Sequence, residues 1–331
     1  MKIIRIIFLV FLSILFINIS YAASIDPLPS WNAGPNKTAI MQFIQDTTNK
    51  SNSNYIPPEE RIAAFDQDGT LWVEQPIYTE VVYSLDQIKQ LAPKHPEWKN
   101  QEPYRTILSG NKKAILQLKP NILMQALFAT HAGMTVDQFS QSVKQWLSQA
   151  RDVRWHRHYT ELVYQPMLEL LNYFRANGYK TYIVTGGGQD FVRAYAQQVY
   201  GVPPEQVIGS ATQTHFQFHT GQSDLIKTTK LLFNNVFAGK PQDIYLFAGR
   251  RPFASFGNST GDQQMLEYTM RNHHSSLMLL VHHDDGVREY DYGANSKVGT
   301  FSNALMNVAI KNKWLVVSMK KDWKKIFSFN Q

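Results

Sequence analysis

The sequence predicts an α/β fold, a parallel-sheet core interrupted by a helical insert, and three observations predict it. An apolar run, Ile62-Ala63-Ala64-Phe65, ends in two carboxylates two positions apart, Asp66 and Asp68. A second strand, Lys180 to Val184, runs into Thr185-Gly186-Gly187-Gly188 and then a helical stretch from Asp190 to Tyr200, which is strand-loop-helix grammar. Between the two lies a long block with helical periodicity and no strand pattern.

In chain order, Lys2 and Arg5 precede an unbroken apolar segment from Ile6 to Ile17 and a small-x-small site, Ser20-Tyr21-Ala22. This predicts a signal peptide over residues 1–22, cleaved near Ala22. The apolar segment is short for a span and has no cationic stop beyond it, so no stable membrane anchor is expected after cleavage. The absence of cysteine excludes a disulfide framework, a thiolate zinc site and a cysteine nucleophile. With the export signal, it points to the periplasm or medium of a bacterium. The formal charge of +7 is scattered and includes Lys2 and Arg5; it favours anionic small substrates weakly and does not argue for nucleic acid.

One amphipathic helix is expected from Lys37 to Thr47, then a linker from Ser51 to Pro58 and the first strand from Arg61 to Phe65. From Glu80 to about Ala150 the apolar residues recur at helical spacing: Val81, Val82, Leu85 and Ile88 on one face, and Val136, Phe139, Val143 and Trp146 on another. Thr135 with Gln138 forms a capping box, and Pro120 interrupts the helical stretch between. Residues 75–164 therefore read as a helical cap inserted into a core built from 23–74 and 165–331. Pro166 suits the first turn of a helix with an apolar face of Met167, Leu170, Leu171 and Phe174, closed by Asn177-Gly178. Further on, Val207 to His219 reads as paired strands, Pro241 to Phe247 as a helix, Pro252 to Phe256 as a strand and Gln263 to Asn272 as a helix. Leu277 to His282 and Trp314 to Met319 supply the last strands. No stretch specifies an oligomeric state.

Two like charges at the end of a buried strand are costly unless a cation or a proton offsets them. The pattern D-x-D-G also opens a calcium loop, but its twelfth position is Ile77 where a bidentate Glu is required, and no helix precedes it. At the carboxyl end of a parallel strand, where α/β sheets bind ligands, Asp66 reads as a nucleophile and Asp68 as an acid/base. A hard cation with oxygen ligands and retained water, Mg²⁺, would neutralise the pair.

Asp66-Gln67-Asp68-Gly69-Thr70 resembles the first motif of the haloacid dehalogenase (HAD) superfamily, and the arrangement is similar to its phosphoserine-phosphatase-like members. Three further stretches match in order: Thr185 at its strand end, Lys240 before Pro241, and Gly257 to Leu266, which resembles GDxxxDxxML with Asn258 for the first acid and Asp262 as the second. The resemblance implies a Rossmann-like core with an inserted helical cap, and Mg²⁺-dependent hydrolysis of a small phosphorylated metabolite through an aspartyl-phosphate. Thr185, Gly186 and Lys240 would hold the phosphoryl group, assisted by backbone N–H groups of the helix after Thr185. Asp66, Asp68, Asn258 and Asp262 would surround the metal; Asn258 keeps a carbonyl oxygen but not the charge.

Competing readings remain open. Asn258 sustains that of an exported phosphate-binding protein with this fold and little turnover. Gly257-Asn258-Ser259-Thr260-Gly261 spells a serine-hydrolase elbow around Ser259, but the last histidine, His283, precedes Asp284, Asp285 and Asp291, against the order such an enzyme needs. Lys227 and Lys230 compete with Lys240 and read as solvated. Arg250 and Arg251 lie too far along the helix to reach a phosphate. Arg151, Arg154, His156, Arg157 and His158 read as a solvated hinge or as a second anion site. His282-His283-Asp284-Asp285-Gly286 reads as a strand followed by a turn.

Overall fold

A computed structural model describes residues 26–330, except 116 and 271–274. The expected signal peptide lies outside the described residues. The core is a seven-stranded sheet of strands β1 (Ile62–Phe65), β2 (Lys180–Gly188), β3 (Val207–His219), β4 (Gln222–Phe233), β5 (Ala254–Gly257), β6 (Leu277–His282) and β7 (Leu315–Ser318). Their spatial order is β4-β3-β2-β1-β5-β6-β7. All neighbours pair parallel except β3 and β4.

β1 is central and buried along its length. Its alternate side chains enter opposite layers: Ala63 and Phe65 join the core with Met167, Leu170, Leu171 and Phe174, and Ala64 joins Ile244, Met265, Leu266, Leu305 and Ala309 on the other face. A strand covered by helices on both faces must be apolar throughout, which is why Ile62-Ala63-Ala64-Phe65 shows no alternation. Phe65 stacks on Phe256 of β5 with ring centroids 4.2 Å apart.

Between β1 and β2 the chain forms helices, among them Thr79–Leu91, Pro120–Ala129, Val136–Gln149 and Gln165–Ala176. The expected capping box is present, with Gln138 N–H donating to Thr135 Oγ1 at 3.0 Å and Thr135 N–H to Gln138 Oε1 at 3.0 Å. Val143 and Leu147 bury the stripe that follows.

Three local expectations need correction. Val207 to His219 is not a pair of strands but one strand, which turns at Thr220-Gly221 and returns as β4. The hairpin reaches the helical insert, where Lys227 N–H donates to Met134 O and Gly133 N–H to Lys227 O, each at 2.9 Å. The glycine run belongs to β2, whose pairing with β3 shifts register between Thr185 and Gly188, so Gly186 and Gly187 bulge out. The helix expected from Asp190 to Tyr200 is two short ones, Gln189–Arg193 and Ala196–Tyr200.

Asn303–Lys311 is a further helix, capped where Ser302 Oγ accepts from Leu305 N–H at 3.1 Å. The polar stretch before the first helix also packs on the core. Trp31 is fully buried, donates from Nε1 to Pro166 O at 3.0 Å and meets Trp323 edge-on at 6.0 Å.

Candidate active site

The sheet order brings the predicted residues together from far apart in sequence. β1 delivers Asp66, β2 delivers Thr185 and β5 delivers Asn258, all at carboxyl ends beside the strand where the sheet's connections change direction. Lys240, in the first turn of helix Gly239–Ala248, reaches this point with its ammonium. It donates to Asp66 Oδ1 at 2.5 Å, Asp262 Oδ1 at 2.6 Å and Val184 O at 2.9 Å, which uses all three of its hydrogens. Lys240 is 3% exposed. Burial opposes its charge, but Asp262 and Asp66 outweigh that and hold the ammonium protonated.

One ammonium cannot neutralise every acid here. Burial first, then the charge of Asp262, pushes the Asp66 carboxyl up to about 7. Asp68 is also pushed to about 7, by burial and by Glu80, against the opposing bond from Trp72 Nε1 to Asp68 Oδ1 at 2.7 Å. Burial raises Glu74 well above the carboxylate range, with Asp68 and Asp66 adding to the effect.

The remaining donors and acceptors define the space. Thr70 Oγ1 lies 3.2 Å from both Asp66 Oδ2 and Asn258 Oδ1, so two acceptor oxygens flank one hydroxyl. Added to Gly187, a Cβ would fall 3.3 Å from Thr185 Oγ1 and 3.7 Å from Asp68 Oδ2, so these groups border the same small gap. The backbone N–H groups expected to face an anion are engaged: Gly187 N–H donates to Thr185 Oγ1 at 3.0 Å and Gly188 N–H to Glu80 Oε2 at 2.6 Å. Gly186 contributes its carbonyl to Ser210 Oγ at 2.8 Å.

Asp262, expected as a metal ligand, has both oxygens committed. Oδ1 holds Lys240, and Oδ2 accepts from Asn258 N–H and Ser259 N–H, each at 3.0 Å. It is placed as the second anchor of Lys240. Ser259 is a cap residue, with ordinary extended backbone at φ −136° and ψ 169°, and its hydroxyl donates to Asp262 Oδ2 at 3.2 Å. Its hydrogen bonds involve no histidine among the described residues, so the elbow reading has no support in the geometry.

The residues fit an oxygen-coordinated dication. Buried carboxylates outnumber cations, and Asp66 Oδ2 and Asn258 Oδ1 are hard acceptors facing one gap. Among the described residues no three acidic or imidazole side chains form a ready-made cage. A cation held here would keep most of its shell as water and substrate oxygen, which is the habit of Mg²⁺.

Lys227 is not solvated. It is 4% exposed, paired with Asp190, and lies 4.8 Å from the Phe139 ring centroid. The basic cluster is likewise consumed by structure: Arg154 binds Glu289 O at 2.6 Å and Val287 O at 3.0 Å, Arg157 pairs with Glu161 at 2.9 Å, and Arg151 donates to His156 O at 3.1 Å. Three residues have roles that the sequence reading missed, Glu74 and His283 buried and Glu80 partly so. Glu74 accepts from Asn258 Nδ2 at 2.6 Å and Tyr292 OH at 2.7 Å; Glu80 ties the insert to Gly188; His283 donates from Nε2 to Gly69 O at 2.7 Å while Nδ1 meets Glu289 at 3.1 Å. The only sequence signal for Glu74 is its place eight residues after Asp66.

Fold and site together define an α/β protein with a strand-end carboxylate, Asp66, gripped by a buried lysine. Comparison with known families places it further: a haloacid dehalogenase-like hydrolase model matches residues 60–241, and the chain belongs to that family. No curated protein matches it. Among solved structures, a conserved functionally unknown protein from Anaerococcus prevotii DSM 20548 is 15% identical, with a TM-score of 0.57 over 92% of this chain and 100% of that one. A protein with unknown function from Bordetella pertussis Tohama I is 14% identical, with a TM-score of 0.47 over 78% and 98% of the two chains. A phosphoserine phosphohydrolase-like protein from Francisella tularensis subsp. tularensis SCHU S4 is 14% identical, with a TM-score of 0.40 over 78% and 94%. The first of these supports the fold.

Proposed function

We propose that this protein is an exported, Mg²⁺-dependent phosphomonoesterase acting on a small phosphorylated metabolite through an aspartyl-phosphate. The observation that carries the reading is the grip of Lys240 on Asp66 and Asp262 at the ends of β1 and β5. A nucleophile held against an ammonium approaches an anionic phosphoryl group with part of the repulsion already offset. Asp66 and Asn258 Oδ1 would hold the Mg²⁺, which when bound supplies further neutralisation of phosphoryl charge.

In the first step the Asp66 carboxylate forms an O–P bond as the ester P–O bond breaks, and Asp68 gives its proton to the departing alkoxide. Burial suits Asp68 to this by pushing its carboxyl up to about 7, while the Lys240 ammonium beside Asp66 favours the ionised form of that carboxylate. In the second step Asp68 takes a proton from water, the water oxygen bonds to phosphorus, and the P–O bond to Asp66 breaks. Thr185 and Thr70 offer hydroxyls toward the same gap and Lys240 keeps Asp66 in line.

The test is phosphate release from a panel of phosphomonoesters by the chain lacking residues 1–22, with Mg²⁺ and with chelator, beside Asp66→Asn and Ser259→Ala. Mg²⁺-dependent release lost in Asp66→Asn and kept in Ser259→Ala is the expected outcome. Carboxylester cleavage lost with Ser259→Ala, or no release from any ester, would overturn it. Sequencing the N-terminus of the protein recovered from the periplasm checks export and cleavage near Ala22.

A further inference from the structure

We propose that Glu74 is a positioning residue, fixing which end of the Asn258 carboxamide faces the reaction centre; this rests on the metal-dependent reading above. The two ends of an asparagine are nearly the same size, so shape alone does not choose between them. Asn258 is 1% exposed, and its neighbours make the choice. Glu74 Oε1 receives Asn258 Nδ2 at 2.6 Å and Tyr292 OH at 2.7 Å, two donors on one oxygen. Rotating the amide would set oxygen against oxygen there and turn the NH₂ toward the Thr70 hydroxyl, taking the acceptor oxygen away from the gap. Held as it is, Asn258 directs Oδ1 to the Thr70 hydroxyl that also touches Asp66 Oδ2.

The backbone makes room for this contact. Gly69, at φ 75°, and Gly299, at φ 63°, both pass close to Glu74: a Cβ would come within 2.3 Å of Oε1 at Gly69 and within 1.8 Å at Gly299. Both glycines adopt the left-handed conformation that other residues rarely take. Two loops more than 200 residues apart are thus shaped around one carboxyl group. His283 holds the first of them through Gly69 O.

The acidic group therefore stands one hydrogen bond behind the acceptor oxygen rather than at position 258 itself. This arrangement can be exchanged. Glu74→Gln replaces a carboxyl with a group that can turn either its oxygen or its NH₂ toward Asn258, so the amide orientation is no longer selected, whereas Glu74→Gln with Asn258→Asp restores an acid and a neutral amide in reversed order.

The experiment is calorimetric titration of Mg²⁺ into the substrate-free protein and the two single and one double variants, with kcat and the Mg²⁺ half-activation concentration for p-nitrophenyl phosphate read alongside. Glu74→Gln is expected to weaken Mg²⁺ binding by about 10–100-fold, the usual effect of losing a partner behind a ligand. Adding Asn258→Asp is expected to recover most of that loss. Asn258→Asp alone is expected to lower the melting temperature of the metal-free protein, since two acids then face each other.

Wild-type affinity in Glu74→Gln, or a double variant no better than Glu74→Gln, overturns the proposal and leaves the metal-dependent reading standing. No Mg²⁺ binding by the wild type overturns both. Should Glu74→Gln not fold, Tyr292→Phe, which removes one hydroxyl from the same oxygen, carries the test: several-fold weaker Mg²⁺ binding supports the proposal and unchanged binding overturns it.

Discussion

Asp66 and Asp68 share a property that a sequence position alone does not confer: both are acids held near 7 by the burial of their site. An ordinary aspartate titrates at 3.8, so between about 4 and 7 the folded, metal-free protein binds protons that the unfolded chain has released. Stability must then fall as pH rises through that window. Melting temperatures measured in chelator from pH 4 to 8 should decline across it, and Asp68→Asn should flatten the decline; a curve rising with pH in both proteins would contradict the assignment. The acids and Lys240 were legible because a strand end, a helix start and short motifs announce them locally. Glu74 and His283 were not, because their roles depend on loops that meet only in the fold. Residues 282–286 have a metal-like composition but read as a strand followed by a turn, which describes the backbone there while missing what His283 holds.

Among the elements, the β3–β4 hairpin departs furthest from the sequence reading. Its second strand carries Lys227, Thr228, Thr229 and Lys230, a polar run whose alternation is hidden because one lysine points inward and the other outward. The inward lysine joins the hairpin to Asp190 after the glycine loop and to Phe139 of the insert. Lys227→Met keeps the length and removes the pair. It should raise amide hydrogen exchange in Val136–Gln149 while leaving β1 and β5 protected; unchanged exchange in that helix would show that the pair does not hold the insert. Helix Val136–Gln149 was legible from its stripe and capping box, since those signals are local, whereas Thr79–Leu91 buries Tyr83, Ser84 and Gln87 and, of the expected face, Ile88. The insert's attachment to a strand almost a hundred residues away was not legible.

At the scale of the whole molecule, the parallel sheet and its site edge follow from the apolar runs and from where polar motifs interrupt them. Closure of the chain's two ends is a tertiary property that the polar composition before Pro35 concealed. Trp31 packs on Trp323, Ser30 binds Glu169 through Oγ at 2.6 Å, and Lys324 N–H donates to Ser30 O at 2.8 Å. Trp31→Ala should therefore cost about 3–5 kcal/mol, the range for emptying a buried aromatic site. Urea unfolding with an unchanged slope and a lower midpoint is the expected result, and a midpoint within error of wild type would mean the stretch is dispensable.

The two backbone hydrogen bonds between Lys227 and residues 133–134 have a mechanical consequence. An insert joined to its core only by two connecting strands of chain can swing like a door. This one is also laced to the edge of the sheet, so it behaves as a wall braced from the side. Any opening wide enough to exchange substrate for product would have to bend the hairpin or break that lacing, and the pace of turnover would then be set by an arm remote from the chemistry in sequence.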